Sequence, residues 1–305
     1  MSIKLCILGC HSATPRISSH PTSQYLEIKN HAFLIDCGEG TQVQLRKYKI
    51  KFSNIKHIFI SHLHGDHVFG LIGLISTFRL LNRETEINVY GPKGIKKFIV
   101  TQLQLSESHT GYPIRFHELQ SKESELVFED KTVAVYTIPL KHRIYTNGFL
   151  FCEKLGERKL NIPEIQKYPE IEVCDYQNLK NGKDFKLRTG EKLPNKLLTT
   201  NPNRPLSYAF CSDTAYNEEI IPIIENCDLL YHESTFLNDK IDLAKITKHS
   251  TAEQAAIIAK KGKVKQLILG HYSSRYKSIL DFKAEAQSIF PNTILSEEGK
   301  IIEIK

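Results

Sequence analysis

The chain has 305 residues, of which 41% are hydrophobic and 25% are charged. This composition is typical of a folded globular protein and excludes a disordered, collagen-like or coiled-coil chain. Lys and Arg number 41 against 34 Asp and Glu, so the formal net charge at pH 7 is +7. Such a charge suits a polyanionic partner such as nucleic acid, although many enzymes that bind no nucleic acid share it.

Two further features bear on the cellular compartment. No stretch reaches the roughly 18 apolar residues that span a bilayer, so we expect no membrane contact. The seven cysteines are scattered and form no CxxC pair, which argues against a zinc ribbon or a redox dithiol. We therefore expect reduced, buried thiols rather than disulfides, and a cytoplasmic protein.

Short apolar or alternating runs predict strands in the first 150 residues. These strands are expected at Ile3–Leu8, Tyr25–Ile28, Ala32–Ile35, His57–Ile60, Ile87–Tyr90 and Thr132–Ile138. Apolar residues at three- and four-residue spacing predict helices at Val68–Leu81 and Gly94–Leu105.

The composition changes between Glu153 and Arg204, where long apolar runs give way to Gly, Asn, Pro and Lys. Residues 178–204 contain seven basic and two acidic residues, a net charge of +5. We interpret 153–204 as an arm inserted into a single domain that spans residues 1–305. A solvated, lysine-rich loop is the alternative.

The alternation of strands and helices resumes after the insertion. Strands are predicted at Leu206–Cys211, Asp228–Tyr231, Gln266–Leu269 and Lys300–Ile304, and helices at Glu218–Glu225, Thr251–Lys261 and Asp281–Ile289. Two β/α halves separated by a polar insertion indicate one layered α/β domain.

The segment Ser61–His67 holds four side chains of metal-ligand type: His62, His64, Asp66 and His67. In an extended segment, His62 and His64 project to the same side and can bind one ion, which leaves Asp66 and His67 for a second. Imidazole together with carboxylate favours zinc or a similar divalent ion over calcium. We expect Gly65 to allow the tight turn that brings the two pairs together.

Three more candidate ligands follow other predicted strands: His142, Asp213 and His271. Taken singly, each histidine could be an ordinary loop residue and Asp213 could cap a helix or turn. Taken with Ser61–His67, they supply the ligands that a two-ion site still needs. Asp213 is the natural bridge, because each carboxylate oxygen can bind one ion.

Further motifs extend over nearly the whole chain: Asp36–Gln42, Val89–Gly94, His109–Pro113, Ser212–Thr214, His232–Thr235, His249–Ala252 and His271–Tyr276. Together with Ser61–His67, they resemble the ribonuclease Z branch of the metallo-β-lactamase superfamily. The resemblance implies a four-layer αβ/βα sandwich with an inserted, protruding arm. It also implies an endoribonuclease that removes the 3′ trailer from precursor tRNA by attack of an activated water, leaving a 3′-hydroxyl on the tRNA and a 5′-phosphate on the trailer.

The resemblance also implies two zinc ions per subunit and their ligands. One ion would be bound by His62, His64 and His142, the other by Asp66, His67 and His271, with Asp213 between them. Asp66 would also accept a proton during catalysis. A homodimer is a further implication.

The resemblance assigns a second catalytic pair, in which Glu233 orients His249 and His249 donates a proton to the leaving oxygen or stabilises the charged phosphorane. A purely structural histidine–carboxylate pair is the alternative. His249 precedes Ser250 and Glu253, which we interpret as a capping box at the start of the next helix.

Ser273 and Arg275 follow a candidate ligand and are predicted to bind substrate phosphate. A simple surface turn is the alternative for this pair.

Some positions depart from the family pattern. His11 lies where relatives have small residues, so it can alter the rim of the pocket, and Tyr216 lies near a position where relatives have arginine. Tyr216 could stack on a base. The arm lacks the usual Gly/Pro signature, so its role as a tRNA-binding surface depends on its position and charge.

Two other functions remain open at this point. One is a dinuclear hydrolase of small phosphodiesters, sulfates or thioesters. The other is an RNA-binding protein without catalysis.

Overall fold

A computed structural model describes residues 3–14 and 16–304. Its strands, in chain order, are β1 Ile3–Gly9, β2 Ser23–Ile28, β3 His31–Ile35, β4 Ile55–Phe59, β5 Ile87–Pro92, β6 Ile114–Leu119, β7 Leu126–Glu129, β8 Val133–Leu140, β9 Thr146–Glu153, β10 Lys159–Leu160, β11 Phe185–Lys186, β12 Lys192–Leu193, β13 Thr199–Thr200, β14 Ser207–Cys211, β15 Leu229–Glu233, β16 Gln266–Gly270, β17 Thr293–Leu295 and β18 Ile301–Ile304.

Its α-helices are α1 Thr41–Lys47, α2 Gly65–Leu80, α3 Ile95–Leu105, α4 Ile162–Ile165, α5 Tyr176–Lys180, α6 Asn195–Leu198, α7 Ile221–Ile224, α8 Ile241–Thr247, α9 Ala252–Lys261 and α10 Leu280–Gln287. Within the described residues, no helix is both long and apolar enough to cross a membrane.

Two seven-stranded sheets form the main unit. The first has the order β18-β1-β2-β3-β4-β5-β6, and the second has the order β17-β16-β15-β14-β9-β8-β7. Strands β3 to β6 are parallel in the first sheet, and β14 to β17 are parallel in the second. The carboxyl ends of these parallel strands are where α/β proteins commonly place their ligands.

The two sheets pack face to face through aromatic side chains. The ring of Phe33 in the first sheet lies 5.2 Å from that of Phe151 in the second, and Phe59 lies 5.1 Å from Phe149, measured between ring centroids. A separate apolar cluster joins the outer face of the first sheet to α1, α2 and α3. Helices α9 and α10 pack on the second sheet. The result is the layered α/β arrangement that the sequence predicts.

The residues from Glu153 to Pro205 form a second compact unit with a small core of their own. Its buried apolar side chains are Ile165, Ile171, Leu179, Leu193 and Leu198. Part of this unit is thus packed around apolar side chains, as an unstructured loop would not be. Residues 153–204 as a whole contain 11 basic and 8 acidic residues, a net charge of +3, because acidic residues before 178 offset part of the +5 of residues 178–204.

Several local predictions were wrong in detail. Helix α2 begins at Gly65 rather than Val68. Gly65 is the first residue of the helix and has no positive φ, so the predicted turn does not require a glycine there. A Cβ would lie 2.3 Å from the ring of Phe69, an exposed side chain that would have to shift. The helix predicted at Glu218–Glu225 is a short 3-10 turn followed by α7.

Other elements went unrecognised in the sequence. Strands β6, β7, β9 and β17 and helices α1 and α8 were not predicted, nor were the short elements β10–β13 and α4–α6 between residues 159 and 200. All seven cysteines are free; five are buried, Cys152 is half-buried and Cys174 is exposed.

Candidate metal centre

The candidate ligands lie where strands of both sheets end. The segment Ser61–His67 follows β4, His142 follows β8, Asp213 follows β14 and His271 follows β16. Asp66 and His67 occupy the first turn of α2, where the helix dipole favours a carboxylate. Side chains from distant parts of the chain thus converge on one edge of the two sheets.

One group of ligand atoms comprises His62, His64, His142 and Asp213. Nδ1 of His64 lies 3.0 Å from Nε2 of His62 and 3.3 Å from Nε2 of His142. Oδ2 of Asp213 lies 3.6 Å from Nε2 of His62 and 3.8 Å from Nε2 of His142. These distances suit four donors that surround a single ion.

A second group comprises Asp66, His67 and His271. Nε2 of His271 lies 3.4 Å from Oδ2 of Asp66 and 3.2 Å from Oδ1 of Asp213. Nε2 of His67 lies 3.3 Å from the same Asp213 oxygen. Asp213 therefore directs one carboxylate oxygen to each group, as a bridging ligand would.

The donor set fits divalent metal ions. Nε2 of His67 and Oδ1 of Asp213 are buried and have no hydrogen-bond partner among the described residues, a costly arrangement unless an ion occupies the space between them. Burial holds the pKa of His62 well below its usual value, so this imidazole is neutral, which is the form that binds metal.

Hydrogen bonds behind the ligands fix the orientation of four imidazoles. Nδ1 of His67 donates to Asp36 at 2.7 Å, and Nδ1 of His142 donates to the carbonyl of Lys248 at 2.8 Å. Nδ1 of His271 donates to the hydroxyl of Thr235 at 2.9 Å.

His62 follows the same arrangement, with Nδ1 3.0 Å from the hydroxyl of Ser61. Each bond leaves Nε2 facing the cluster, as in metal sites generally. Sequence reasoning missed Asp36 and Thr235 as site residues, although both lie within two residues of the end of a strand and within motifs that it singled out.

Glu233 holds His249 beside the cluster. Oε1 of Glu233 lies 2.8 Å from Nδ1 of His249, and Glu233 is fully buried. Burial opposes the charged imidazole, but the Glu233 carboxylate outweighs it and raises the pKa of His249 to about 9. Nδ1 of His249 also lies 4.0 Å from Oδ2 of Asp213.

The capping box after His249 lies one residue later than predicted. Thr251 caps α9 and pairs with Gln254. The backbone amide of Ser250 instead donates to Glu233, and its hydroxyl donates to the carbonyl of Thr214. The prediction of Ser250 and Glu253 as caps was therefore wrong, because Ser250 belongs to the hydrogen-bonded network of Glu233.

Ser273 and Arg275 lie outside both ligand groups. Ser273 is buried, and its hydroxyl accepts long hydrogen bonds of 3.4 Å from the amide and the guanidinium of Arg275. Arg275 is exposed, with its guanidinium 6.0 Å from the centroid of the Phe236 ring. The guanidinium is thus accessible to an anion.

His11 and Tyr216 have structural partners. The His11 ring contacts the Tyr272 ring edge to face at 5.7 Å. The Tyr216 hydroxyl donates to Glu218 at 2.5 Å, and the half-buried Tyr216 ring packs on the main core.

Comparison with known proteins places this centre in a family. Ribonuclease Z of Parabacteroides distasonis is 50% identical over 293 residues, covering 96% of each chain. The chain belongs to the ribonuclease Z family. It is therefore an enzyme, a hydrolase of the endoribonuclease class, as the sequence predicts.

Solved structures agree with this ribonuclease Z assignment. The short form of human tRNase Z covers 98% of both chains with a TM-score of 0.72 and 26% identity. YhfI of Bacillus subtilis, a metallo-β-lactamase fold protein, has a TM-score of 0.70 over 99% of this chain and all of its own, at 16% identity. The predicted fold is confirmed. A family model described as Anti-Pycsar protein Apyc1 matches residues 3–145, less than half of the chain.

Proposed function

We propose that this member of the ribonuclease Z family is a zinc-dependent endoribonuclease that removes the 3′ trailer from precursor tRNA. The observation that carries the proposal is the pair of ligand groups that share Asp213. The relatives named Ribonuclease Z and the likeness to human tRNase Z support RNA as the substrate.

The proposed ligands divide as the two groups do. His62, His64 and His142 would bind one zinc ion, Asp66, His67 and His271 the other, and Asp213 would bridge them. When bound, two such ions lower the pKa of a water between them and stabilise charge on the attacking and leaving oxygens.

The protein side chains provide the proton transfers. Asp66 would accept a proton from the attacking water, and its Oδ2 accepts a hydrogen bond of 3.1 Å from the amide of Ala13. His249, oriented by Glu233, would donate a proton to the departing ribose oxygen. Arg275, through its exposed guanidinium, and Ser273 beside it would bind a neighbouring phosphate. Attack by water leaves a 3′-hydroxyl on the tRNA and a 5′-phosphate on the trailer.

The decisive experiment is incubation of the purified protein with a 3′-extended precursor tRNA, with and without a chelator. We expect a single cut at the end of the acceptor stem, with the end groups named above, that disappears on chelation and returns with zinc. Cleavage of small phosphodiesters alone, with the precursor intact, would favour the small-substrate hydrolase instead. Binding of the precursor without any cleavage would favour a non-catalytic RNA-binding protein.

We further propose that the unit 153–204 binds the body of the tRNA. A concavity of about 680 Å³ lies within residues 153–205. It is lined by Gly156, Gly182, Pro202 and Pro205 together with three cations, Arg158, Lys180 and Arg204, and one carboxylate, Glu157. Glycines and prolines that are dispersed in the sequence thus converge on one basic surface, which suits an RNA backbone.

This proposal is tested by substitution rather than deletion, because residues such as Leu193 belong to the core of the unit. We expect the double variant Lys180→Gln, Arg204→Gln to cleave the precursor more weakly and to cleave a small phosphodiester as the wild type does. The slope of log precursor affinity against log salt concentration should fall in magnitude by up to about 2. The matched control is Lys167→Gln, an exposed lysine of the same unit that lies outside the concavity. An equal loss of activity on the precursor and on the small phosphodiester would refute the proposal that this unit binds tRNA separately from the catalytic centre.

A homodimer and a cytoplasmic location complete the proposal. The dimer is supported by the family resemblance and the location by the free thiols. Light scattering coupled to size-exclusion chromatography measures the mass of the assembly and tests the dimer. Fractionation of the source cells tests the cytoplasmic location.

A further inference from the structure

Asp36 lies behind the metal centre, at the end of β3, and is fully buried. Its φ of 54° is in the left-handed region, where an aspartate is tolerated but not favoured. The segment is held from both sides: the amide of Asp36 donates to the carbonyl of Phe59 at 2.7 Å, and the amide of Cys37 donates to the carbonyl of His67 at 2.8 Å.

The carboxylate of Asp36 accepts three hydrogen bonds. Oδ1 accepts from the amide of Ser61 at 2.7 Å, and Oδ2 accepts from the hydroxyl of Ser61 at 2.8 Å and from Nδ1 of His67 at 2.7 Å. A carboxylate can only accept. Nδ1 of His67 therefore carries a proton, and Nε2 is left facing Asp66 and Asp213, on the side from which a metal ion would bind.

The same carboxylate determines the state of His62 through Ser61. The hydroxyl has one proton, and the carboxylate at 2.8 Å is a stronger acceptor than the Ser212 hydroxyl at 3.1 Å. With its proton on Asp36, the Ser61 oxygen accepts from Nδ1 of His62 at 3.0 Å. His62 then also presents the lone pair of Nε2 to its ligand group.

We propose that Asp36 is a positioning residue for both metal ions at once. His67 belongs to one ligand group and His62 to the other, so one buried carboxylate sets the tautomer of a ligand in each. Each of the other groups that accept from Nδ1 of a ligand histidine contacts a single ligand: the Lys248 carbonyl accepts from His142, and the Thr235 hydroxyl accepts from His271. The inference rests on the two-ion centre of the proposed function.

Two substitutions separate the two branches of this network. Asp36→Asn keeps the shape but places an amide donor against either Ser61 or His67. We expect zinc affinity to fall about 10- to 100-fold at both positions. Ser61→Ala removes only the branch to His62 and leaves the contact between Asp36 and His67, so affinity should fall at one position and stay within threefold at the other.

The measurement is zinc affinity and stoichiometry of the full chain, by titration against a competing chelator, with circular dichroism of the metal-free proteins as the folding control. Wild-type protein that binds fewer than two ions would refute the proposed function itself. If the wild type binds two ions, unchanged affinity in Asp36→Asn, or loss at only one position, would overturn the inference. If Asp36→Asn does not fold, Ser61→Ala tests the branch from Asp36 through Ser61 to His62: weakening of one ion supports this branch, and weakening of neither or of both overturns the inference.

Discussion

Glu233→Gln is the sharpest test of the pair formed by Glu233 and His249. Oε1 of Glu233 accepts from Nδ1 of His249 at 2.8 Å and from the amides of Thr214 and Ser250 at 3.1 Å each. Oε2 accepts from the amide and the hydroxyl of Thr235 at 2.9 and 2.8 Å. The substitution preserves the shape of the side chain but replaces one acceptor oxygen with a donor.

The least unfavourable orientation keeps the glutamine oxygen toward His249, so its amide group then faces the Thr235 amide. An unsatisfied buried N–H costs about 1–3 kcal/mol, and the bond to His249 loses about 1 kcal/mol with its charge. We therefore expect about 2–4 kcal/mol less unfolding free energy. Because Glu233 positions the proposed acid, kcat should fall about 10²-fold, with KM for the precursor within threefold.

Urea unfolding and cleavage of a 3′-extended precursor tRNA by zinc-loaded protein measure the two effects. Glu225→Gln is the matched control, since it removes an exposed carboxylate that lies 2.9 Å from Nζ of Lys263 and should change stability by less than about 1 kcal/mol. A Glu233→Gln variant with wild-type kcat and two bound ions would remove this pair from the mechanism.

Three further predictions follow from other parts of the structure. Asp66→Ala should abolish turnover and leave precursor binding within a few-fold, by a filter-binding assay; normal turnover would exclude Asp66 as the proton acceptor. Glu298 accepts hydrogen bonds from the backbone amide and the ring of His20. Glu298→Gln should therefore raise the rate of amide hydrogen exchange about tenfold in residues 11–14 and 16–19, which precede His20, and an unchanged rate would contradict this. Burial lowers the pKa of His57 to about 4. The neutral form of His57 therefore contributes folding stability above pH 6.5, and this contribution is lost as the pH falls through about 4. Urea unfolding at pH 6.5 and at pH 4 measures the free energy of unfolding that is lost between them, and His57→Gln should reduce that loss by about 1–2 kcal/mol.

The sequence by itself determined the local elements and the candidate ligands. Strands such as β1 and β16 were predictable because their residues are almost wholly buried, which makes them continuous apolar runs. Metal-ligand candidates such as His142 and Asp213 were recognisable because each lies two residues after the end of such a run. The unpredicted strands β6 and β7 are half-exposed, with mixed polar and apolar residues, so their pattern is weak.

Only the tertiary structure decided how distant residues cooperate. Asp36 is separated by 31 positions from His67, and its role depends on a hydrogen bond that no local pattern encodes. Likewise, the start of α9 depends on Glu233, which takes the Ser250 amide and leaves Thr251 to cap the helix. Propensity and periodicity act over a few residues, whereas buried polar groups must find partners wherever the fold brings them.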